Sequence, residues 1–398
     1  MLLRSIYCLS YNYFMLYLYN SLMRTKEKFI PNDNKKVKMY VCGITPYDTT
    51  HLGHAFTYVS FDVLVRYLQY KGYEVIYTQN VTDIDDDILL KAKQEDRDWR
   101  ELGDFWTKKF LDDMKSLNVL PPTHFVKATN SIALMIRIIR MLIDKGIAYE
   151  KDGNVYFETK KFKNYGNLSK FNDRQMKILL KERGGNPDDP LKKDPLDFLL
   201  WQKTKPDEPF WESPWEKGRP GWHIECSSMI KNYLGDQIDI HGGGRDLIFP
   251  HHESEIAQSE SFTNKKPFAK FWVHTAMVLY QGEKMAKSLG NLVMVSNLLK
   301  YNNANEIKWL LLSHHYRKPW EFEKEELELI KKKLLMIKKV IKTNKNQKIN
   351  TLYVRKFITI MDNDLNTPQA LNFILDIVKK PNLSPTILKC LSILGIEL

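Results

Sequence analysis

Apolar and polar positions alternate along Val37–Gly43 (VKMYVCG), placing Val37, Met39 and Val41 on one side of a half-buried strand. A polar turn containing Pro46 follows. From about His54 the apolar spacing becomes that of a helix, with Val59, Val63 and Tyr67 in register and Leu64 and Leu68 beside them. Gly72 is a C-cap signal, and Glu74–Val81 (EVIYTQNV) predicts the next strand. Strand, helix and strand within about forty residues make a βαβ unit, and hence a parallel sheet of nucleotide-binding type.

The pattern returns at Gln237–His241 (QIDIH), which runs into three glycines, then a helix over His251–Phe262 and a strand at Lys270–Val278. Between the two halves, Pro121–Leu200 reads as an insertion rich in Lys, Asp and Gly, with helical segments such as Ser131–Lys145. Beyond about Asn303 the spacing is helical throughout: Glu306–His314, Lys324–Ile341, Leu352–Met361, Thr367–Lys379 and Pro385–Leu394. The expected architecture is α/β. A Rossmann-like parallel-sheet domain in two halves (23–120 and 201–302) is interrupted by the insertion (121–200), preceded by an extension (1–22) and followed by a helical domain (303–398).

A chain of 398 residues fits two or three such domains, and 43 % hydrophobic with 27 % charged residues supports a real core. The net charge of +12 suits a polyanionic partner, a nucleic acid or ATP, although Lys331, Lys332, Lys333, Lys338, Lys339, Lys342 and Lys345 also fit a solvated helix face. The four cysteines, Cys8, Cys42, Cys226 and Cys390, lack disulfide-type spacing, which favours a reducing cytoplasm. In the opening residues Arg4 and Asn12 interrupt the apolar stretches, and Asn20 and Arg24 follow closely. No run approaches the ~18–20 apolar residues of a membrane span, and no cleavage site is evident. The segment reads as an extension, with the functional chain beginning near Met15 or Tyr17 and no membrane partner.

Chemistry enters at Thr50-His51-Leu52-Gly53-His54, where strand gives way to helix. A helix N-terminus offers unpaired N–H groups and a positive dipole end to phosphate, and two imidazoles beside it can stabilise charge developing on a leaving pyrophosphate. Standing alone, this segment reads better as a surface turn. A second segment, Gly282-Glu283-Lys284-Met285-Ala286-Lys287-Ser288, places two lysines in a glycine-bounded loop that can close on the phosphates from the other side. Cys42, Cys226, and His251 with Glu255 at i, i+4 on one helix face, can together make a tetrahedral metal site. Their separation in sequence leaves buried structural cysteines as the alternative.

In combination, His51–His54 and the Lys284/Lys287 loop on this βαβ scaffold resemble the two signature motifs of class I aminoacyl-tRNA synthetases, with Ala286 where the loop usually carries serine. The segments MYVCGITPYDTTHLGHA, NVTDIDDDI, GRPGWHIECSSM, DIHGGGRDLIFPHHESEIAQSE and GEKMAKSLGN resemble cysteinyl-tRNA synthetases and their sister family, the mycothiol-pathway ligases that join cysteine to an amino sugar. The resemblance implies ATP-driven activation of L-cysteine as cysteinyl-adenylate, with Mg2+ accompanying ATP and one Zn2+ per chain. It makes His51, His54, Lys284 and Lys287 catalytic and Cys42, Cys226, His251 and Glu255 zinc ligands. Trp222 would wall the cysteine pocket, with Cys42, Thr82 and Thr45 close by. The adenylate would be held by Gly43, Ile44, Thr45, Thr57, Asn80, Val81, Thr82 and the Gly244–Arg245–Asp246 turn, with Asp246 on the ribose and the backbone of Val278 on the adenine. Asp83, Asp85, Asp86 and Asp87 read as helix N-terminal charge rather than a magnesium site.

The acceptor of the activated cysteine is the divided point. ITPYD, the HLGH form of the histidine motif, Glu182–Pro187 (ERGGNP) and Lys193–Asp197 (KDPLD) resemble the amino-sugar ligases, and the helical domain is expected to lack an anticodon-binding domain. Glu255, the HGGG form of His241 and the +12 charge resemble the tRNA enzymes instead. The sequence favours a small amino sugar such as glucosaminyl-inositol, with a minimal cysteinyl-tRNA synthetase charging cysteine tRNA as the alternative. A catalytically inactive RNA- or partner-binding relative is a third reading, against which the intact histidines, lysines and zinc set argue. A monomer is expected.

Overall fold

The computed structural model describes residues 15–48, 50–285, 289–343 and 348–398. Strand β1 (Tyr17–Asn20) turns back antiparallel on β2 (Thr25–Lys28). Leu16 and Leu18 are buried in the main core, so the body of the protein already includes Leu16, ahead of the boundary expected after residue 22. Asn20, whose polarity suggested an interruption, is buried and satisfied: its amide donates to Glu27 at 2.8 Å and to the Lys270 carbonyl at 2.9 Å. β1 also reaches far along the chain. The Tyr17 N–H donates to the Asp362 carbonyl (2.8 Å), its carbonyl accepts from the Asp364 N–H (2.9 Å), and the Tyr19 N–H donates to Asp364 Oδ1 (2.9 Å).

β3 (Lys36–Ile44), α1 (Leu52–Tyr70) and β4 (Glu74–Val81) form the expected βαβ unit, with β3 and β4 parallel. The alternation along β3 sorts its side chains between two cores, because successive Cβ atoms point to opposite faces. Val37, Met39 and Val41 join the core containing α1, while Tyr40 and Cys42 join the other. The helix begins at Leu52 rather than near His54 because His51 caps it, its Nδ1 accepting the Gly53 N–H at 3.0 Å. A histidine cap lies outside the usual Ser, Thr, Asp and Asn set, so this boundary carried no ordinary signal.

α2 (Asp86–Gln94) and α3 (Trp99–Ser116) lead to β5 (His124–Lys127), which pairs parallel to β4. The region beyond holds α4 (Ile132–Asp144), β6 (Ala148–Lys151), β7 (Asn154–Phe157), α5 (Asp173–Glu182), β8 (Phe198–Lys203) and β9 (Gly218–Pro220). Its four strands make an antiparallel sheet in the order β6-β7-β8-β9. The insertion therefore starts after β5 and runs to Pro220, past both the 121 and 200 boundaries. These strands are too short to show a sustained alternation, which is why only helices were expected there.

The second half of the nucleotide-binding unit is α6 (Trp222–Tyr233), β10 (Ile238–Gly244), α7 (His251–Thr263) and β11 (Ala269–Thr275). The completed sheet has the order β11-β10-β3-β4-β5, parallel throughout. The strand expected over Lys270–Val278 breaks after Thr275, and β12 (Val278–Tyr280) pairs with β13 (Glu283–Lys284) in a small separate sheet. Then follow α8 (Val295–Leu298), α9 (Ala304–Leu312), β14 (Trp320–Glu321) beside β12, and the helices α10 (Lys324–Thr343), α11 (Thr351–Met361), α12 (Thr367–Val378) and α13 (Ser384–Ile393). Among the described residues no helix is long and apolar enough to cross a membrane.

One buried ion pair fastens the helical region to the sheet domain. Asp62 on α1 receives Lys308 of α9 at 2.6 Å and Arg66 at 3.0 Å, and Lys308 also donates to the Asn118 carbonyl at 2.9 Å. Asp62→Asn removes the counter-charge of a buried lysine, so stability is expected to fall by about 3–5 kcal/mol. Denaturant titration reads this directly, and a loss below about 1 kcal/mol would mean that Lys308 finds another partner.

Candidate active site

Strand order reverses at β3, which has β4 on one side and β10 on the other, and the crevice at the carboxyl ends of strands at such a switch point is where α/β sheets bind ligands. Gly43 lies at that edge. A Cβ there would sit 1.5 Å from the Asn80 carbonyl oxygen, so only glycine lets β3 come so close to β4. Its N–H donates to Asn80 Oδ1 at 2.8 Å, and the Asn80 amide reaches Thr82 Oγ1 at 3.3 Å. Ile44 accepts the Thr82 N–H at 3.0 Å, which brings Ile44, Thr45, Asn80, Val81 and Thr82 to one rim. On β10, Gly242 is pressed against Phe61, 2.2 Å from where a Cβ would stand. Thr57 on α1 bonds Thr275 at 2.8 Å. Gly244, Arg245 and Asp246 form the turn leaving β10, and the Asp246 carbonyl receives the Arg183 guanidinium. Val278 is buried, its carbonyl accepting from Met285.

His51 and His54 stack with ring centroids 3.7 Å apart at the N-terminus of α1. Burial holds His51 down to about 4 and His54 well below the usual histidine range, and the adjacent ring depresses His54 further. Both are therefore neutral at physiological pH. Because His51 Nδ1 accepts from Gly53, its proton sits on Nε2, leaving that nitrogen as a donor. His54 Nδ1 is buried without a partner. The lysine segment is stitched to this corner: the Leu52 N–H donates to the Val293 carbonyl (2.8 Å) and the Val295 N–H to the Thr50 carbonyl (3.0 Å). Lys284 is exposed on β13, and its carbonyl accepts from Asn291 at 3.1 Å. Lys287 lies outside the described residues.

Deeper in, Cys42, Cys226, His251 and Glu255 converge, all buried, with their donor atoms within 4.8 Å of one another. The two sulfurs are 4.0 Å apart, and Glu255 Oε1 stands 3.8 Å from Cys42 and 3.1 Å from His251 Nε2. A second foursome, Cys42, His241, His252 and Glu255, meets the same limit. Burial lowers the histidines and raises Glu255 and both thiols, so without a cation the cluster is a costly knot of neutral polar groups. The Tyr40 hydroxyl is buried there beside the Cys226 thiol. Two sulfurs, an imidazole and a carboxylate are a donor set suited to zinc. The first foursome fits better, because it offers two sulfurs and His251, whose Nδ1 is oriented by His223 Nδ1 at 2.9 Å, whereas the second offers one sulfur and His241, whose Nδ1 is buried without a partner. His241 Nε2 holds the other Glu255 oxygen at 2.9 Å.

Several residues here escaped the sequence reading. His252 reaches Cys42 at 3.3 Å and His274 at 2.8 Å, and His274 reaches Ser21 at 2.8 Å. Tyr40 could have been found as Cys42 minus two on a strand, and Glu225 from its i, i+3 relation to Trp222. His274 carried no signal, since only tertiary packing brings it in. Trp222, expected at the cysteine pocket, stacks on His251 with centroids 4.2 Å apart.

The catalytic-domain model of class I (C) tRNA synthetases matches residues 28–332, and a DALR domain model matches 356–387. A cysteine–tRNA ligase from Dehalococcoides mccartyi (strain ATCC BAA-2100) is 47 % identical over 92 % of this chain and 80 % of its own length. The cysteine–tRNA ligase of Legionella pneumophila (strain Corby) is 44 % identical over 93 % of this chain and 81 % of its own length. In fold the chain is similar to Mycobacterium tuberculosis methionyl-tRNA synthetase in complex with methionyl-adenylate, with a TM-score of 0.67 at 14 % identity, covering 87 % of this chain and 82 % of that one. With a parallel sheet split at its crevice, paired histidines at a helix start and a model match across most of its length, the chain belongs to the class I (C) tRNA synthetase family.

Proposed function

We propose that the protein activates L-cysteine with ATP and esterifies it to cysteine tRNA. The observation that carries this reading is the 47 % identity to a cysteine–tRNA ligase across 92 % of the chain, taken with the buried Cys42–Cys226–His251–Glu255 cluster at the head of the crevice. The amino-sugar acceptor favoured from the sequence gains no support from these relatives. Arg183 in the ERGGNP segment has a structural task, holding the Asp246 turn, while Glu255 and His241, the tRNA-type features, bond each other inside the cluster.

The chain's own residues divide the work by position. The positive end of α1 and the Nε2–H of His51 receive phosphate oxygens, and His54 adds a neutral donor or acceptor as pyrophosphate departs. Lys284 and Lys287, in the segment that precedes the Val293 and Val295 anchors, would meet charge on the leaving phosphates. The rim from Gly43 to Thr45 and Asn80 to Thr82 holds the aminoacyl–phosphate junction, and the Asp246 turn the ribose. A zinc ion on Cys42, Cys226, His251 and Glu255 would supply a Lewis acid that prefers a thiolate to a hydroxyl.

The tRNA would approach across the helical region. On α10, Leu327, Ile330, Leu334 and Ile337 face the core, whereas Lys332, Lys339 and Lys342 are exposed. Such lysines contact phosphates, which give affinity without sequence information. Replacing these three lysines by alanine is expected to weaken charging and to flatten its dependence on log salt by about 0.7–0.9 per lysine removed. Pyrophosphate exchange, which uses no tRNA, should keep its rate. Single-turnover transfer from preformed cysteinyl-adenylate decides the acceptor. Charged cysteine tRNA is the expected product, and an amide with glucosaminyl-inositol in its place would overturn the proposal.

A further inference from the structure

Trp222, Glu225 and Cys226 lie at i, i+3 and i+4 on α6 and so share one face. Trp222 walls the thiol cluster through His251, and Cys226 belongs to it. Glu225, between them, is 1 % exposed, and its Oε2 has no hydrogen-bond partner. Burial, with Cys226, Asp85 and Asp83 near it, holds this carboxyl well above the usual carboxylate range, and the Thr82 side chain is its hydrogen-bonding neighbour. The remaining carboxyls of this corner are employed. Both Asp83 oxygens bind Thr129, through N–H at 3.0 Å and hydroxyl at 2.6 Å, and Asp85 caps α2 by accepting the Asp87 N–H at 2.8 Å. Arg219 is already committed to Asp86 at 2.7 Å and Glu208 at 3.1 Å. A buried carboxyl oxygen with no donor is costly, and it stands beside the cluster where a substrate thiol would end.

Cysteine carries its ammonium group only two carbons from its sulfur. A molecule whose sulfur reaches Cys42 and Cys226 therefore presents its cation to the next residue on that face. We propose that Glu225 is the carboxyl group that receives the α-ammonium group of cysteine, with the Thr82 hydroxyl beside it. The assignment rests on the cysteine-activating reading. It adds a second criterion of recognition: the thiol selects against serine, and Glu225 selects against thiols that lack an ammonium group.

Glu225→Gln keeps the shape and removes the charge. Cysteine-dependent exchange by the unaltered protein is measured first, and its absence would overturn the activation reading and this assignment with it. In the variant, KM for cysteine is expected to rise about 30-fold or more, the scale of a lost hydrogen bond to a charged group, with kcat changed far less. Inhibition by cysteamine, which keeps the ammonium, should weaken by a similar factor. Inhibition by 3-mercaptopropionate, which lacks it, should not, and bound zinc should stay at the unaltered level. Glu225→Asp, which retains the charge, should recover part of the cysteine and cysteamine affinity, and the same inhibitor comparison on it serves if the glutamine variant does not fold. Equal weakening of all three ligands would make Glu225 a structural residue, and an unchanged KM for cysteine would place the ammonium elsewhere.

Discussion

Exchange driven by cysteine is expected to exceed exchange driven by serine by about 10⁴-fold or more, and Cys226→Ala to remove that margin along with most of the bound metal. A site built to engage one group rejects an analogue lacking it on this scale, because its own buried polar atoms are then left without partners. Here those atoms are two thiols, an imidazole and a carboxylate, all buried and all held mutually within 4.8 Å. Cys226 is 1 % exposed on α6 and supplies one of the two sulfurs. Glu255 differs, because His241 already holds its second oxygen and can retain the carboxylate if the first is displaced. Glu255→Gln should therefore cost much less than Cys226→Ala. Metal content by atomic spectroscopy, with parallel exchange assays on the two amino acids, checks all of this. Serine exchange matching that of cysteine, or full zinc in Cys226→Ala, would be fatal to the assigned ligand set.

The second large effect concerns the stacked histidines. His54→Ala should lower kcat for exchange by about 10²–10³-fold, the usual cost of one preorganised group aimed at developing charge. ATP binding should change little, because the N–H groups of α1 remain. His51 has two tasks, capping α1 and presenting Nε2–H, and substitution can separate them. Asparagine is a good N-cap, so His51→Asn should keep the melting temperature close to that of the unaltered protein while exchange still slows. His51→Ala should lose both. A collapse of ATP affinity with kcat preserved in His54→Ala would reassign the pair to ground-state binding.

Where side chains follow one clear period, the sequence was enough to read the fold. β3 alternates and α1 repeats at helical spacing, and β4 spans the same residues that were expected from its β-branched and aromatic run. The limits of reading lay where tertiary contacts override local pattern. Asn20 reads as a break yet is a buried anchor. The four residues of β6 or β7 are too few to alternate convincingly, and a histidine cap is not an expected helix start. The candidate site divides in the same way. Cys42, Cys226, His251, Glu255 and Trp222 were reached through long motif resemblance, and the fold brings them together. His252 sits beside His251, and although neighbours on a helix ordinarily point apart, here both turn inward. His274, on the next strand of the sheet, could be found only in three dimensions.

The strand Tyr17–Asn20 has a consequence for how the molecule is assembled as it is made. Its partners Lys270, Asp362 and Asp364 stand far downstream, one of these bonds spanning 345 positions. At about 5–20 residues per second of synthesis, the strand waits on the order of tens of seconds before the last of them emerges. Through that interval its backbone groups toward residues 362–364 remain unpaired, a sheet edge open to strands of other chains. Ser21, which follows it directly, completes the file of side chains running through His274 and His252 to Cys42. The strand can thus complete its docking only late in synthesis, and a ribosome stalled short of Asp362 would leave that edge unfinished.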